Sequence, residues 1–168
     1  SGGTFKQIKK LKFKCIEVSK YTNSPEILNG RVKTLHPKIH GGILSKRNSK
    51  SHKKDLINNN FSEIDLVIVN FYPFEETLSS TNNHSKIIEN IDIGGPAMIR
   101  AAAKNYNDVT VITGPNQYDD LIKELNINKG KTSLNFRQKM SEEAFSETAY
   151  YDSLVSNYFN KYNHNKFP

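Results

Sequence analysis

The segment that says most about the fold is IDLVIVNFYPF, residues 64–74 of this 168-residue chain. Residues 64–69 form a near-continuous aliphatic run, which is typical of a central parallel strand buried on both faces. Pro73 lacks the N–H that a sheet ladder requires, so the strand ends before it. Parallel sheets bind ligands beyond the carboxyl ends of their strands. Asn70 and Tyr72 therefore fall where a ligand site is expected.

The rest of the chain alternates between helical and strand patterns. Further strands are predicted over residues 13–18 and 109–113. Helices are predicted over residues 5–11, 25–30, 50–59, 85–90, 97–104, 116–126 and 133–162. Residues 31–45 contain Pro37 and fit neither pattern. This order predicts an α/β fold with a mostly parallel sheet flanked by helices, and the length predicts a single domain.

Composition excludes several classes of protein. No stretch approaches the roughly 18 to 20 consecutive apolar residues that span a bilayer, and the opening residues lack the apolar segment of a secretory signal. The lone cysteine, Cys15, rules out an internal disulfide and fits a reducing compartment. We therefore expect a cytoplasmic protein. The abrupt start without Met indicates a fragment.

The net charge of +7 is unevenly distributed, since residues 1–54 hold 14 Lys or Arg against 2 Asp or Glu. A basic half of this kind suits nucleic acid or any anionic ligand. However, 20 of the 24 cationic residues are Lys, and this half has only Phe5, Phe13 and Tyr21 as aromatic residues for stacking bases. A basic nucleic-acid-binding module therefore stays as an alternative.

Two segments suit an anionic ligand. SGGT at residues 1–4 immediately precedes a predicted helix, where free backbone N–H groups and two hydroxyls cradle a phosphate, unless the Ser and Gly residues are left over from cloning. Farther along, Arg31 and Lys33 alternate to the same side of an extended stretch. His36 and His40 have a spacing that metal sites use, but a third ligand is lacking nearby and Pro37 disfavours a helix there. No metal is expected.

Asp92 lies shortly before the predicted helix 97–104, and Lys104 is the last residue of that helix. Asp92 precedes a Gly-Gly-Pro helix start, so its carboxylate suits capping the free N–H groups, and Lys104 suits the negative end of the helix dipole. Twelve residues of partly helical chain span about 15 Å. The two side chains therefore meet only if loops or a second subunit bring them together.

Taken together, these segments resemble one family over essentially the whole chain. The matching motifs are SGGT (1–4), PE (25–26), GRVKTLHP (30–37), HGGIL (40–44), NFYPF (70–74), ENIDIGGP (89–96) and RAAAKN (100–105). They resemble the inosine monophosphate (IMP) cyclohydrolase domain, the amino-terminal half of the bifunctional purine biosynthesis protein whose other half is the AICAR transformylase. The resemblance implies a methylglyoxal-synthase-like α/β fold and closure of the purine ring of FAICAR to give IMP. It implies a homodimer with a nucleotide substrate, and no cofactor, nucleic acid or membrane.

The resemblance also implies roles for individual residues. Lys33 and Tyr72 would contact the carboxamide and formyl oxygens, and Asp92 and Lys104 would handle protons. The implied catalytic set is Lys104, Asp92, Lys33 and Tyr72. The implied substrate-binding set is Ser1, Gly2, Gly3, Thr4, Arg31, Val32, Lys33, Thr34, Val69, Asn70, Asp92 and Ile93.

This sequence departs from the family pattern in three ways. The family has a strand and helix before the SGGT turn, which this chain lacks, and the transformylase domain is also absent. Phe71 stands where the family usually has Leu. We therefore expect one cyclohydrolase domain over residues 1–168, truncated at its amino terminus. A methylglyoxal-synthase-like lyase and a non-catalytic nucleotide-binding domain remain alternatives, although GRVKTLHP argues against the lyase.

Overall fold

The computed structural model describes residues 2–71 and 74–161, so Ser1 and Tyr72 lie outside the described residues. The helices are α1 Gly2–Lys10, α2 Val18–Thr22, α3 Pro37–Leu44, α4 Lys50–Asn58, α5 Phe74–Ser80, α6 His84–Glu89, α7 Gly94–Lys104, α8 Tyr118–Ile127 and α9 Leu134–Asn160. The strands are β1 Leu66–Ile68 and β2 Thr110–Ile112, and short 3₁₀ turns occupy Leu28–Gly30 and Pro115–Gln117.

The two strands pair in parallel, with Val67 opposite Val111. This confirms an α/β fold with a parallel sheet and flanking helices. β2 is buried along its whole length, whereas Leu66 and Ile68 of β1 are 37% and 47% exposed. The prediction that β1 is buried on both faces is therefore wrong, because the described residues cover its Val67 side and leave the Leu66 and Ile68 side exposed.

The strand predicted over residues 13–18 is also wrong. Residues 13–17 have no regular structure, and α2 begins at Val18. Alternating apolar residues form a strand only where a neighbouring strand takes up their backbone hydrogen bonds. In the described chain this segment has no such neighbour, and Phe13 and Ile16 are 69% and 72% exposed.

The prediction that Pro37 disfavours a helix is wrong as well, because α3 begins at Pro37 itself. A proline in the first helical turn loses no hydrogen bond. His36 caps the helix, since its Nδ1 accepts a hydrogen bond from the backbone N–H of Lys38 at 3.1 Å. The segment before α3 is therefore held rigidly at a helix start.

The main core lies between α7, α9 and β2. Small residues at 101–103 of α7 let the long helix α9 approach closely, and the hydroxyl of Ser141 donates to the carbonyl of Ala103 at 2.8 Å. A second cluster, built by α5, α6 and α9, contains Phe74, Ile87, Tyr151 and Tyr158. None of the described helices combines the length and the apolar character needed to cross a membrane.

Candidate active site

A tight loop holds residues 31–34, which we call the 31–34 turn. Asn29 and Gly30 adopt positive φ values of 56° and 88°, which reverse the chain. Ile27 and Val32 then exchange two backbone hydrogen bonds of 3.3 and 3.4 Å. These two hydrogen bonds close the loop, so the backbone that carries Arg31 and Lys33 is held in place.

The 31–34 turn packs against the segment that leads into α7. Arg31 Nε lies 3.3 Å from Glu89 Oε1, in an exposed ion pair. Closer to the helix, Thr34 Oγ1 occupies the space beside Gly94, since a Cβ on that glycine would lie only 2.5 Å from it. Two motifs far apart in the sequence therefore form one surface.

Lys33 lines an open cleft beside this surface. Its Nζ lies 2.9 Å from Glu26 Oε2, and its side chain is only 23% exposed. The cleft has a volume of about 680 Å³ and is also lined by Gly2, Lys6 and Lys20. That volume lies in the range of small-ligand sites. Three lysines and two glutamates, Glu17 and Glu26, line the cleft, so its charge is only weakly positive. Of the predicted phosphate segment, the structure places Gly2 at the cleft.

Asp92 is held at two points beside the start of α7. Its Oδ1 accepts a hydrogen bond from Gly95 N at 2.8 Å, and its own backbone N–H donates to the hydroxyl of Tyr151 at 2.7 Å. This capping contact confirms the predicted interaction with the helix start, although Ile93 is the formal cap residue. Burial raises the pKa of Asp92, and the bond from Gly95 partly opposes that rise.

Val69 and Asn70 extend from β1 at the predicted edge. Val69 N donates to the carbonyl of Ile112 at 3.0 Å, which continues the parallel ladder. Asn70 is exposed, and its Oδ1 accepts a hydrogen bond from the hydroxyl of Tyr118 at 3.1 Å. The next residue, Phe71, stacks on Tyr151 with ring centroids 4.8 Å apart.

Lys104 lies away from these residues within one chain. It is exposed at the last position of α7, and it makes no ion pair or hydrogen bond with other described side chains. The following residue, Asn105, donates to the carbonyls of Ile43 and Ser45 at 2.8 and 3.0 Å, at the far end of α3. An 11-residue helix rises about 15 Å, so α7 separates Lys104 from Asp92.

The histidines of α3 have separate structural environments. His36 uses Nδ1 as a helix cap, whereas the Nε2 of His40 is buried and has no hydrogen-bond partner among the described residues. Burial lowers the pKa of His40. Within residues 2–71 and 74–161, no group of three His, Cys, Asp or Glu side chains is placed to hold a metal ion.

Four residues that contact the site were not assigned roles by sequence reasoning, namely Glu26, Glu89, Tyr118 and Tyr151. Glu26 and Glu89 stand within the motifs that carry the family resemblance. Their position in these motifs could have been used to predict that they contact the 31–34 turn. Tyr151 also lies in a segment that shares the family resemblance, residues 148–152. The hydroxyl contacts of Tyr118 and Tyr151 could not be read from helical spacing.

Comparison with known proteins places this geometry in a family. Residues 1–97 match the family model described as an MGS-like domain, and residues 102–168 match that of the AICARFT/IMPCHase bienzyme. The crystal structure of ForH is similar with a TM-score of 0.81 and 31% identity, over 94% of this chain and 81% of that one. The chain belongs to the MGS-like domain family, and its carboxyl-terminal part is similar to the AICARFT/IMPCHase bienzyme.

Within this class, the similarity to one protein is high. This chain is 51% identical, over 161 residues, to the protein of Prochlorococcus marinus strain MIT 9515 that is named bifunctional purine biosynthesis protein PurH. It is 52% identical, over 160 residues, to the protein of the same name from Rippkaea orientalis. These alignments cover 96% and 95% of this chain and 31% of each relative. The chain therefore spans about a third of the length of these relatives.

Proposed function

We propose that this chain is the cyclohydrolase part of a bifunctional PurH protein and closes the ring of FAICAR to give IMP. The observation that carries the proposal is the contact of Thr34 with Gly94, which sets the cationic 31–34 turn beside Asp92. The similarity to PurH proteins extends over this same arrangement. The AICAR transformylase activity of such a protein would belong to the rest of its length.

The reaction requires orientation, charge stabilisation and proton transfer. The carboxamide nitrogen of FAICAR attacks the formyl carbon and gives up one proton, while the formyl oxygen takes up a proton and becomes a hydroxyl. The hydroxyl then takes a second proton and leaves as water, while the former formamide nitrogen loses its N–H proton and forms the C=N bond of the ring. An amide is a weak nucleophile, so holding the two groups together supplies much of the acceleration. Donors at the developing oxyanion and an acid for the departing hydroxyl supply the remainder.

The cleft and the 31–34 turn would hold the nucleotide. The phosphate would bind at the first turn of α1, where Gly2, Gly3 and Thr4 would offer backbone N–H groups and a hydroxyl. The family resemblance adds Ser1 to this phosphate-binding set. Arg31, Val32 and Thr34 would enclose the nucleotide from the turn, and Val69, Asn70 and Ile93 would contact the base. Lys33, oriented by Glu26, would donate to the carboxamide or formyl oxygen together with Tyr72.

Asp92 and Lys104 would act as the proton-transfer pair across a homodimer. Burial raises the pKa of Asp92 and so favours proton exchange by its carboxyl group. Because α7 separates the two residues within one chain, the ammonium of Lys104 must come from a second copy. An exposed lysine with no described partner is free to enter such a site.

The first experiment is a spectrophotometric assay of FAICAR conversion to IMP. We expect the unsubstituted protein to turn over, Asp92→Asn to lose most of its turnover, and Lys104→Arg to bind IMP but lose most turnover. Lys129→Arg, an exposed change away from the site, is the matched control and should keep full activity. IMP binding without any ring closure would contradict the proposal and favour a regulatory nucleotide-binding domain.

A mixed dimer tests the contribution of the second copy. Co-expressed Asp92→Asn and Lys104→Arg chains form mixed dimers in which one site has both native side chains if the pair is intermolecular. The mixture should then recover turnover that neither variant has alone. If both residues act within one chain, every site of a mixed dimer carries a substitution, and no recovery would follow.

A further inference from the structure

We propose that Tyr151 of α9 is a positioning residue for ring closure, because its single side chain links the Asp92 segment to the Asn70–Phe71 segment. This inference rests on the proposed function. In the sequence, Tyr151 lies in the segment 148–152, which shares the family resemblance, but no role is assigned to it there.

The contacts of Tyr151 reach both sides of the site. Its hydroxyl accepts the backbone N–H of Asp92 at 2.7 Å. Its ring stacks on Phe71 at 4.8 Å and 13°, and meets the edge of Phe74 at 6.0 Å. The residue is 5% exposed, so these contacts fix one orientation of the ring.

The hydroxyl matters because Asp92 precedes α7. Its backbone N–H therefore has no partner within the helix, and Tyr151 provides the acceptor. Together with the bond from Gly95 N to Oδ1, this contact holds the carboxylate at both its backbone and its side chain. Without the hydroxyl, the Asp92 peptide can rotate and carry the carboxylate away from the substrate.

The phenol also stays neutral in this position. Burial raises the pKa of Tyr151, and the nearby charge of Asp92 raises it further, against the opposing effect of the bond from the Asp92 backbone. A neutral hydroxyl is a stable acceptor for the Asp92 N–H throughout the pH range in which the enzyme is assayed.

Tyr158 provides a matched control on the same helix. It is also 5% exposed, its ring meets the edge of Phe74 at 6.3 Å, and its hydroxyl lies 2.7 Å from Nδ1 of His84. It belongs to the same aromatic cluster as Tyr151. Changing either tyrosine to Phe removes a partly buried hydroxyl contact and keeps the ring.

The test compares Tyr151→Phe with Tyr158→Phe in the assay of FAICAR turnover. We expect Tyr151→Phe to lower kcat by about tenfold or more, with a smaller change in KM, because small misplacements of a catalytic group are costly. Tyr158→Phe should keep kcat within about twofold of the parent, because its described hydroxyl contact is with His84 and not with the Asp92 segment. Unchanged kcat in Tyr151→Phe, or equal losses in both variants, would overturn the proposal.

Amide hydrogen exchange separates this inference from the proposed function. In Tyr151→Phe the Asp92 amide should exchange about tenfold faster or more, since it loses its acceptor, whereas Tyr158→Phe should leave it protected. If the parent protein does not convert FAICAR, the proposed function fails while this exchange still decides whether Tyr151 holds Asp92. An Asp92 amide equally protected in both variants would overturn the positioning role.

Discussion

Thr34 and Gly94 are in direct contact, although sixty residues of sequence separate them. A Cβ at residue 94 would lie 2.5 Å from Thr34 Oγ1, far inside normal van der Waals separation. Glycine at this position therefore permits the 31–34 turn to reach the start of α7. The same approach sets the turn beside the half-buried carboxylate of Asp92.

Gly94→Ala should displace Thr34 without unfolding the protein, because only a half-buried side chain stands in the way. We expect IMP binding to weaken by about tenfold, measured by calorimetric titration. In a Thr34→Ala background, the same substitution at Gly94 should weaken binding much less, since the obstructing hydroxyl is gone. Equal losses in both backgrounds would show that the contact does not shape the site.

Glu26→Gln should impair catalysis through Lys33. Loss of the 2.9 Å ion pair frees the ammonium to leave the cleft, so we expect kcat/KM for FAICAR to fall by about three- to tenfold. Glu142→Gln, on the exposed side of α9, is the control and should have no effect. If Glu26→Gln is as active as Glu142→Gln, Glu26 does not orient Lys33 for catalysis.

Gly42→Ala should destabilise the fold, because a Cβ there would strike the backbone carbonyl of Ser62 and press on Ile64. We expect a loss of about 1–3 kcal/mol in the free energy of unfolding, as overpacked cores show, measured by urea denaturation. Gly41→Ala is the matched control, since its new Cβ would meet only the ring of Phe61, which can move. A loss for Gly42→Ala no greater than that for Gly41→Ala would contradict this expectation.

Stability should fall as the pH falls below neutral, owing to His40. Burial lowers the pKa of His40 from 6.5, so the unfolded chain binds a proton at a pH where the folded chain does not. The free energy of unfolding therefore decreases from about pH 6.5 downward, until the pH reaches the folded-state pKa. The raised pKa of Asp92 acts in the opposite direction at lower pH.

Urea denaturation of the parent and of His40→Gln between about pH 7 and pH 5 measures the contribution of His40 to the pH dependence of stability, because the other groups titrate in both proteins. We expect the variant to lose less stability on acidification than the parent. Identical pH dependence in the two proteins would show that His40 does not titrate differently on folding.

The sequence predicted the elements whose signal is local. Aliphatic runs predicted both strands, and apolar residues that recur every three or four positions predicted α9. The strand predicted around Phe13 failed because alternation does not report whether a neighbouring strand exists. The helix at Pro37 was missed because proline disrupts a helix interior but suits its first turn.

The sequence predicted which motifs form the site. It predicted less well which residues contact one another there. The 31–34 turn and the Asp92 segment could be selected because Gly, Pro and charged residues accumulate where no regular element requires them. Which residues hold them, such as Glu26 or Tyr151, depends on tertiary packing that spacing does not encode. The separation of Lys104 from Asp92 followed from the helical rise alone.

The most direct test of the site is a titration of the ¹⁵N-labelled protein with IMP, followed by amide chemical shifts. We expect the largest shifts on residues 31–34 and 92–95 and on the first turn of α1, while α4 stays unchanged. Shifts concentrated on α4, with residues 31–34 and 92–95 unaffected, would contradict this site.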